Sequence, residues 1–328
     1  MSTSTIVAQT DLSKQLPSCS YSTRAQMPSG PNRFDLDVDS WTIIFENVAS
    51  SIPLRKALEF KTLHSVAYKA VNRALRNVTK LKIEVLEGSS TSYIVQDSVT
   101  KSAQTAVEMV RYVVTNAKCL KTLEIYFEDA NIEVVDNMLD EIINSTHVRL
   151  EAFHVKRRHA GQTVAKIGHV IRQNATTLKQ VSRIGISEAS IGFTDQLHLN
   201  RFGCMSFDLG LQPAPNQIPL HMIRITESGA KFNTFSYTSF AGFDPTDDLV
   251  QMLLEKCEVE DIKLTMMNTP KITSKPSYMI GKVRNVKRVQ LIEIVPEPQQ
   301  INKLIPVRHI FEKVFPAVEN LLVLQQWN

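Results

Sequence analysis

The chain has few cysteines and none of the short motifs on which most enzyme sites are built. Its 328 residues include four cysteines, Cys19, Cys119, Cys204 and Cys257, and no two of them form a C-x-x-C pair. Such wide spacing favours reduced thiols over a disulfide framework or a zinc site. The sequence also lacks a P-loop, a G-x-G-x-x-G turn, a G-x-S-x-G elbow and an H-E-x-x-H pair. We therefore expect no catalytic residues, no metal and no cofactor, and we predict that the protein is not an enzyme.

Charge of one sign and long apolar runs are also scarce. The formal net charge is only +4, and charged residues make up 21% of a chain that is 43% hydrophobic. This composition is ordinary for a globular protein, and it does not require the clustered basic face typical of nucleic-acid binding. No segment approaches the roughly 20 apolar residues of a membrane span, and no secretory signal opens the chain. We expect no nucleic-acid partner, no membrane partner, and a cytoplasmic and/or nuclear location.

Three N-x-S/T sequons begin at Asn77, Asn144 and Asn174, where helical patterns end or just before strands. In a cytoplasmic or nuclear protein we do not expect them to be glycosylated. We interpret each asparagine as a residue that tolerates left-handed backbone geometry at a helix C-terminus.

The first 76 residues divide into two parts. Residues 1–33 are rich in Ser, Thr, Gln and Pro. They predict a disordered tail, because little apolar surface offsets the entropy of ordering. From residue 34 to 76 the apolar residues follow helical spacing, interrupted near Pro53, which predicts three short helices. A module this small needs a partner or the following residues to complete its core.

An apolar signature, Φ-x-x-Φ-x-Φ, recurs through residues 77–328, and several neighbouring copies start 27 to 32 residues apart. A blurred copy falls near Leu178, Val181 and Ile184. Self-similarity at this period is typical of repeat proteins with a strand and a helix in each unit, as in the leucine-rich-repeat class. The clear copies are Val78-Leu81-Ile83, Leu120-Leu123-Ile125, Leu150-Phe153-Val155, Phe202-Met205-Phe207, Phe232-Phe235-Tyr237, Val259-Ile262-Leu264, Val286-Val289-Leu291 and Val318-Leu321-Val323.

The predicted fold class is α/β, with an N-terminal helical module followed by a curved solenoid. Amphipathic helical stretches, such as 134–143 and 164–171, alternate with the strand patterns. Most strands alternate apolar and polar residues, so one face of a parallel sheet is expected to be solvated and the other covered by helices. Residues 86–101 are an insertion in the first repeat.

The helical segment resembles an F-box. The runs LDVDSWTIIFENV at 36–48 and LEFKTLHSVAYKAV at 58–71 carry the resemblance. The F-box motif opens with Leu-Pro, has an Ile-Phe or Ile-Leu pair in its first helix, and ends on Leu-Val-Cys-Lys-x-Trp or a variant. An F-box followed directly by leucine-rich-type repeats is a familiar family layout, in which the protein is the substrate adaptor of a ubiquitin ligase.

The resemblance implies two partners. An Skp-type linker of a cullin ligase would bind the helical module, and an unknown protein substrate would bind the outward residues of the sheet. The implied linker contacts are Leu36, Trp41, Ile44, Phe45, Val48, Leu58 and Leu63. The expected substrate surface includes Lys82, Glu84, Glu124, Tyr126, His154, Lys263 and Thr265.

A second hypothesis is that the protein is a repeat scaffold that recruits no ligase, in which the N-terminal helices only cap the solenoid. Asp37, where the motif has Pro, and the small Ala67 favour it slightly. The two hypotheses predict different exposure of the first helix. A cap buries Trp41, Ile44 and Phe45, whereas a docking module leaves an apolar patch exposed.

Overall fold

In the computed structural model, residues 37–128, 131–157, 164–193, 201–208, 218–239, 248–266, 283–295 and 311–327 are described. The tail predicted at 1–33 and the linker contact predicted at Leu36 lie outside these residues. The helices are α1 (Val38–Ser51), α2 (Leu54–Phe60), α3 (Ser65–Arg76), α4 (Ala103–Asn116), α5 (Ile132–Ile143), α6 (Ala165–Gln173), α7 (Ile186–Gly192), α8 (Ile218–Glu227) and α9 (Asp248–Lys256). The strands are β1 (Lys80–Leu86), β2 (Ser92–Val95), β3 (Ser98–Thr100), β4 (Thr122–Phe127), β5 (Ala152–Arg157), β6 (Gln180–Ile184), β7 (Arg201–Asp208), β8 (Lys231–Ser239), β9 (Asp261–Met266), β10 (Arg288–Val295) and β11 (Asn320–Trp327).

The helical segment contains the three short helices that its periodicity predicts. The break at 52–53 separates α1 from α2, where Pro53 has no N–H to continue a helix. At the start of α3, Nδ1 of His64 accepts a hydrogen bond of 3.1 Å from the backbone N–H of Val66. Helix α1 packs mainly on α3, and the chain from Val38 onward forms one compact unit.

The described strands form one open sheet in the order β11-β10-β9-β8-β7-β6-β5-β4-β1-β2-β3. Strands β1 and β4 to β11 pair in parallel, and the antiparallel pairs are β1 with β2 and β2 with β3. Helices α4 to α9 pack on one another in chain order. The α/β prediction is therefore confirmed, and the arrangement is compatible with the predicted curved solenoid.

The strand signature marks the buried face of the sheet. Its fourth position aligns across neighbouring strands, as in Leu81, Leu123, Phe153 and Val181, and these side chains are fully buried. The intervening residues face away from the helices, since successive side chains of a strand point to opposite faces. The register consequently places the polar residues of different repeats beside one another on the open face.

The insertion at 86–101 forms the β2–β3 hairpin. Strand β2 pairs with β1, and the two-residue loop Gln96-Asp97 connects β2 to β3. Gln96 has a φ of 54°, as a tight hairpin turn requires, and its side chain binds the β1 backbone. Its Oε1 accepts from the N–H of Lys82 at 3.1 Å, and its Nε2 donates to the carbonyl of Lys80 at 2.7 Å. The hairpin thus extends the sheet beyond the first repeat.

The left-handed geometry predicted for the three sequon asparagines is wrong. Asn77, Asn144 and Asn174 have φ values of −86°, −74° and −102°. Asn174 is fully buried, and its side chain explains its presence. Its Oδ1 accepts from the N–H of Leu150 at 2.8 Å, and its Nδ2 donates to the carbonyl of Val170 at 2.9 Å. The asparagine ties the end of α6 to the first residue of the preceding strand signature through a hydrogen bond rather than through an unusual backbone.

Candidate functional site

Helix α1 has its large apolar side chains on the outside. Its buried residues are the small Thr42 and Ala49. Five large apolar residues are exposed, namely Val38, Trp41, Ile43, Ile44 and Val48. Four of them, Val38, Trp41, Ile44 and Val48, follow the 3–4 spacing of one helix side and form what we call the α1 strip. Trp41 is 42% exposed and Ile44 is 40% exposed. Apolar side chains that stay exposed gain no stabilisation from burial within the chain. Because neighbouring exposed apolar residues often mark an interaction site, the α1 strip is a candidate docking surface.

The other predicted linker contacts divide into exposed and packed residues. Leu63, in the turn between α2 and α3, is 73% exposed. Phe45 is half-buried, and its ring lies 5.4 Å from that of Trp41 and 5.1 Å, edge to face, from that of Phe60. Leu58 is half-buried against the core. The structure thus brings Phe45 and Leu58 into the packing that supports the α1 strip, and leaves Leu63 open to solvent.

The open face of the sheet contains a cavity of about 440 Å³ over β1, β4, β5 and β6. Five residues predicted for the substrate surface line it, namely Lys82, Glu84, Glu124, Tyr126 and His154. They meet there because the register aligns Lys82 with Glu124, Glu124 with His154, and His154 with Ser182. We call this the sheet cavity. Its volume lies within the range of ordinary ligand sites.

The two acidic side chains of the sheet cavity are engaged by lysines. Oε1 of Glu84 lies 2.6 Å from Nζ of Lys82, and this hydrogen bond raises the pKa of Lys82 above its ordinary value. Oε1 of Glu124 lies 2.8 Å from Nζ of Lys80, which stands just outside the cavity. Both ion pairs are partly exposed to solvent, so each adds little to the stability of the fold. Their main effect is to neutralise the two carboxylates and to fix the positions of the side chains.

His154 forms a short polar contact at the floor of the cavity. Its Nδ1 lies 2.6 Å from Oγ of Ser182 on β6. Burial lowers the pKa of the imidazole below 6.5, against the opposing effect of Glu124, while Lys80 lowers it further. Burial therefore favours the neutral imidazole, which offers one donor and one acceptor.

Two cations that the sequence interpretation had not assigned to this surface also line the cavity. The ammonium of Lys156 lies 5.5 Å from the centre of the Tyr126 ring, within the range of a cation–π contact. Arg183 is exposed and has a φ of 60°, in the left-handed region. In the sequence, the apolar residues Val181 and Ile184 of this strand are three positions apart instead of two. This irregular spacing is the feature that could have indicated an extra outward residue here.

Lys263 and Thr265, predicted for the same surface, lie elsewhere on the open face. They belong to β9, which is separated from β5 by β6, β7 and β8. At the usual strand spacing this places them roughly 19 Å from His154. Thr265 is half-buried and Lys263 exposed. The predicted substrate surface is thus one cavity on the first repeats and a separate region on the later ones.

The described part of the chain holds no group of three or more His, Cys, Asp or Glu side chains positioned to bind a metal ion. Within the same residues, no helix is both long enough and apolar enough to cross a membrane. No protein-family model and no curated protein matches the sequence.

Proposed function

We propose that the protein is a substrate-recognition adaptor of a cullin-type ubiquitin ligase. In this function the helices α1 to α3 bind an Skp-type linker, and the open face of a curved leucine-rich-repeat-type solenoid binds a protein substrate. The adaptor performs no chemistry itself. It raises the local concentration of substrate lysines beside a recruited conjugating enzyme.

The orientation of α1 carries the proposal. A helix that only capped the repeats would bury Trp41 and Ile44 and expose small or polar residues. Helix α1 does the opposite, since Thr42 and Ala49 face inward while the α1 strip faces solvent. The F-box resemblance falls on this same helix, and the exposed residues include Trp41, Ile44 and Val48, three of the residues that the resemblance assigns to the linker.

Contacts between the helices and the repeats support a proximity mechanism. The hydroxyl of Tyr112 on α4 donates a hydrogen bond to Asn72 on α3, and the ammonium of Lys61 lies 3.6 Å from the centre of the Tyr112 ring. The hairpin contributes a third contact, between Ser98 and the first turn of α2. A ligase adaptor needs such fixed geometry, because the substrate must be held at a defined distance from the conjugating enzyme.

The decisive test is binding of the purified full chain to an Skp-type linker by titration calorimetry. Ile44→Asp and Leu63→Asp should abolish or strongly weaken binding without unfolding the protein, because both side chains are exposed. Leu220→Asp is the matched control, since Leu220 on α8 is 50% exposed and lies far along the chain. Phe45→Asp is less informative, because Phe45 packs against Phe60 and its loss would disturb the module.

Tight binding that is lost in the folded Ile44→Asp and Leu63→Asp variants supports the adaptor function. Absence of binding by the wild-type protein overturns it. The protein would then be a repeat scaffold without ligase recruitment, with the α1 strip serving another partner.

A further inference from the structure

Strand β6 has one more residue than β7 over the same stretch of their pairing. Val181 aligns with Met205 and Ile184 aligns with Phe207, so two residues of β6 lie between these pairs where β7 has one. The extra residue forms a β-bulge, and Arg183 occupies the left-handed conformation within it. Both Ser182 and Arg183 consequently line the sheet cavity.

The backbone conformation of Arg183 in this bulge costs conformational free energy that an arginine gains nothing from unless its side chain has a role there. A left-handed backbone at a residue other than glycine costs roughly 1 kcal/mol or more, and a regular strand would have buried an apolar side chain at this point. Bulges often re-aim a side chain beside a binding site. Here the side chain so presented is a guanidinium.

The remaining charges of the sheet cavity leave this guanidinium uncompensated. Glu84 and Glu124, on β1 and β4, are paired with Lys82 and Lys80. Among the described residues, the side chain of Arg183 forms no hydrogen bond or ion pair, and the ammonium of Lys156 contacts only the face of Tyr126. The cavity is therefore polarised, with paired charges on the β1–β4 side and two available cations on the β5–β6 side.

We propose that Arg183 and Lys156 form an anion subsite that receives the carboxylate or phosphate of an acidic residue in a peptide segment of the substrate. The inference rests on the proposed function of the open face as the substrate surface, and it names the chemistry recognised there. The guanidinium binds two oxygens of the anion side by side. The ammonium of Lys156 supplies the second positive charge, and the neutral His154 and Ser182 offer hydrogen bonds to neighbouring peptide groups.

The test compares three capped tripeptides that differ only in the central residue, which is phosphoserine, glutamate or glutamine. Each is titrated into the isotope-labelled full chain while the backbone amide resonances of Ser182 and His154 are followed by NMR. The anionic peptides should shift both resonances saturably, and the glutamine peptide should not. Added salt should weaken the effect, because the subsite is exposed.

Arg183→Gln should weaken binding of the anionic peptides about tenfold or more, the usual effect of losing a charge-assisted hydrogen bond. Arg284→Gln removes another exposed arginine and should leave binding unchanged. Binding of the phosphoserine peptide alone assigns the subsite to a phosphorylated residue, and binding of both assigns it to acidic residues in general.

No saturable shift with any peptide, or equal shifts in the folded Arg183→Gln variant, overturns the proposal. These outcomes are independent of linker binding, which is measured on α1. If the anionic peptides bind but the linker does not, this inference stands and the ligase function is overturned. If the linker binds but the anionic peptides do not, the ligase function stands and this inference is overturned.

Discussion

The hydroxyl of Ser98, in the β2–β3 hairpin, accepts a hydrogen bond of 2.7 Å from the backbone N–H of Arg55. Arg55 lies in the first turn of α2, whose N-cap is Pro53 and therefore provides no side-chain acceptor. A residue 43 positions away thus caps the helix. The inserted hairpin is consequently a structural link between the helices and the sheet.

Ser98→Ala should lower the free energy of unfolding by about 1 kcal/mol, because it leaves a partly buried N–H unpaired. Chemical denaturation followed by circular dichroism measures the change. Ser50→Ala, at an exposed position in the last turn of α1, is the matched control and should have little effect. Equal stability of Ser98→Ala and wild type would show that the contact is not a cap.

Gly168 on α6 permits close approach of α7. A Cβ atom at this position would lie 2.6 Å from the carbonyl oxygen of Glu188 and 2.7 Å from Cβ of Ile191. Gly168→Ala should therefore lower the free energy of unfolding by about 1 kcal/mol or more, even though alanine favours helix. Gly88→Ala is the control, since its nearest neighbour would be 3.7 Å away. A stabilised Gly168→Ala variant in thermal unfolding would contradict this account of the helix contact.

Asn174→Ala should be more destabilising than a typical surface substitution. It removes the acceptor for the buried N–H of Leu150, and an unsatisfied buried donor costs about 1–3 kcal/mol. Asn144→Ala, at the corresponding helix end where the asparagine is exposed, is the comparison. Similar unfolding midpoints for the two variants would argue against the buried side-chain hydrogen bonds as the reason for Asn174.

His154 should make stability depend on pH in the acidic range. Burial lowers its pKa in the folded state from 6.5, so the unfolded chain takes up the proton at higher pH than the folded chain. The resulting contribution to stability is present above pH 6.5 and is lost as the pH falls through the folded-state pKa. Denaturation midpoints measured above and below pH 6.5 should therefore change less in His154→Gln than in wild type. An identical pH dependence in the two proteins would contradict the burial of this imidazole.

Arg183→Gly should separate stability from recognition. Glycine adopts a φ of 60° without steric cost, so the variant should be more stable than wild type by up to about 1 kcal/mol. The same variant should bind the anionic peptides as weakly as Arg183→Gln does. Loss of stability in Arg183→Gly would indicate that the side chain supports the fold rather than a ligand.

The apolar pattern of residues 34–76 predicts the helices but not which of their faces is buried. The 3–4 spacing of Trp41, Ile44 and Val48 correctly predicts a helix. It does not tell whether that apolar face is covered, because a core face and a docking face have the same periodicity. The answer depends on which side of α1 is turned toward the rest of the module, and the buried residues of this helix, which packs mainly on α3, are Thr42 and Ala49 instead.

For the sheet cavity, the sequence predicts the face on which the residues lie but not their positions along the sheet. Strand alternation assigned Lys82, Glu124 and His154 to the open face, and the register brings them together. The same reasoning grouped them with Lys263, because alternation identifies a face and not a position along the sheet. Arg183 was missed because a strict two-residue period would have placed it on the buried side.

By itself the sequence determined the alternation of helices and strands and the buried position of signature residues such as Leu81, Leu123 and Phe153, because both follow from the local period of apolar residues. Only the tertiary structure decided which face of α1 remains exposed and which outward side chains share a cavity. These depend on contacts between residues about 30 positions apart, and on a single extra residue in β6 that changes which side chains reach the open face. Local periodicity carries no information about such contacts.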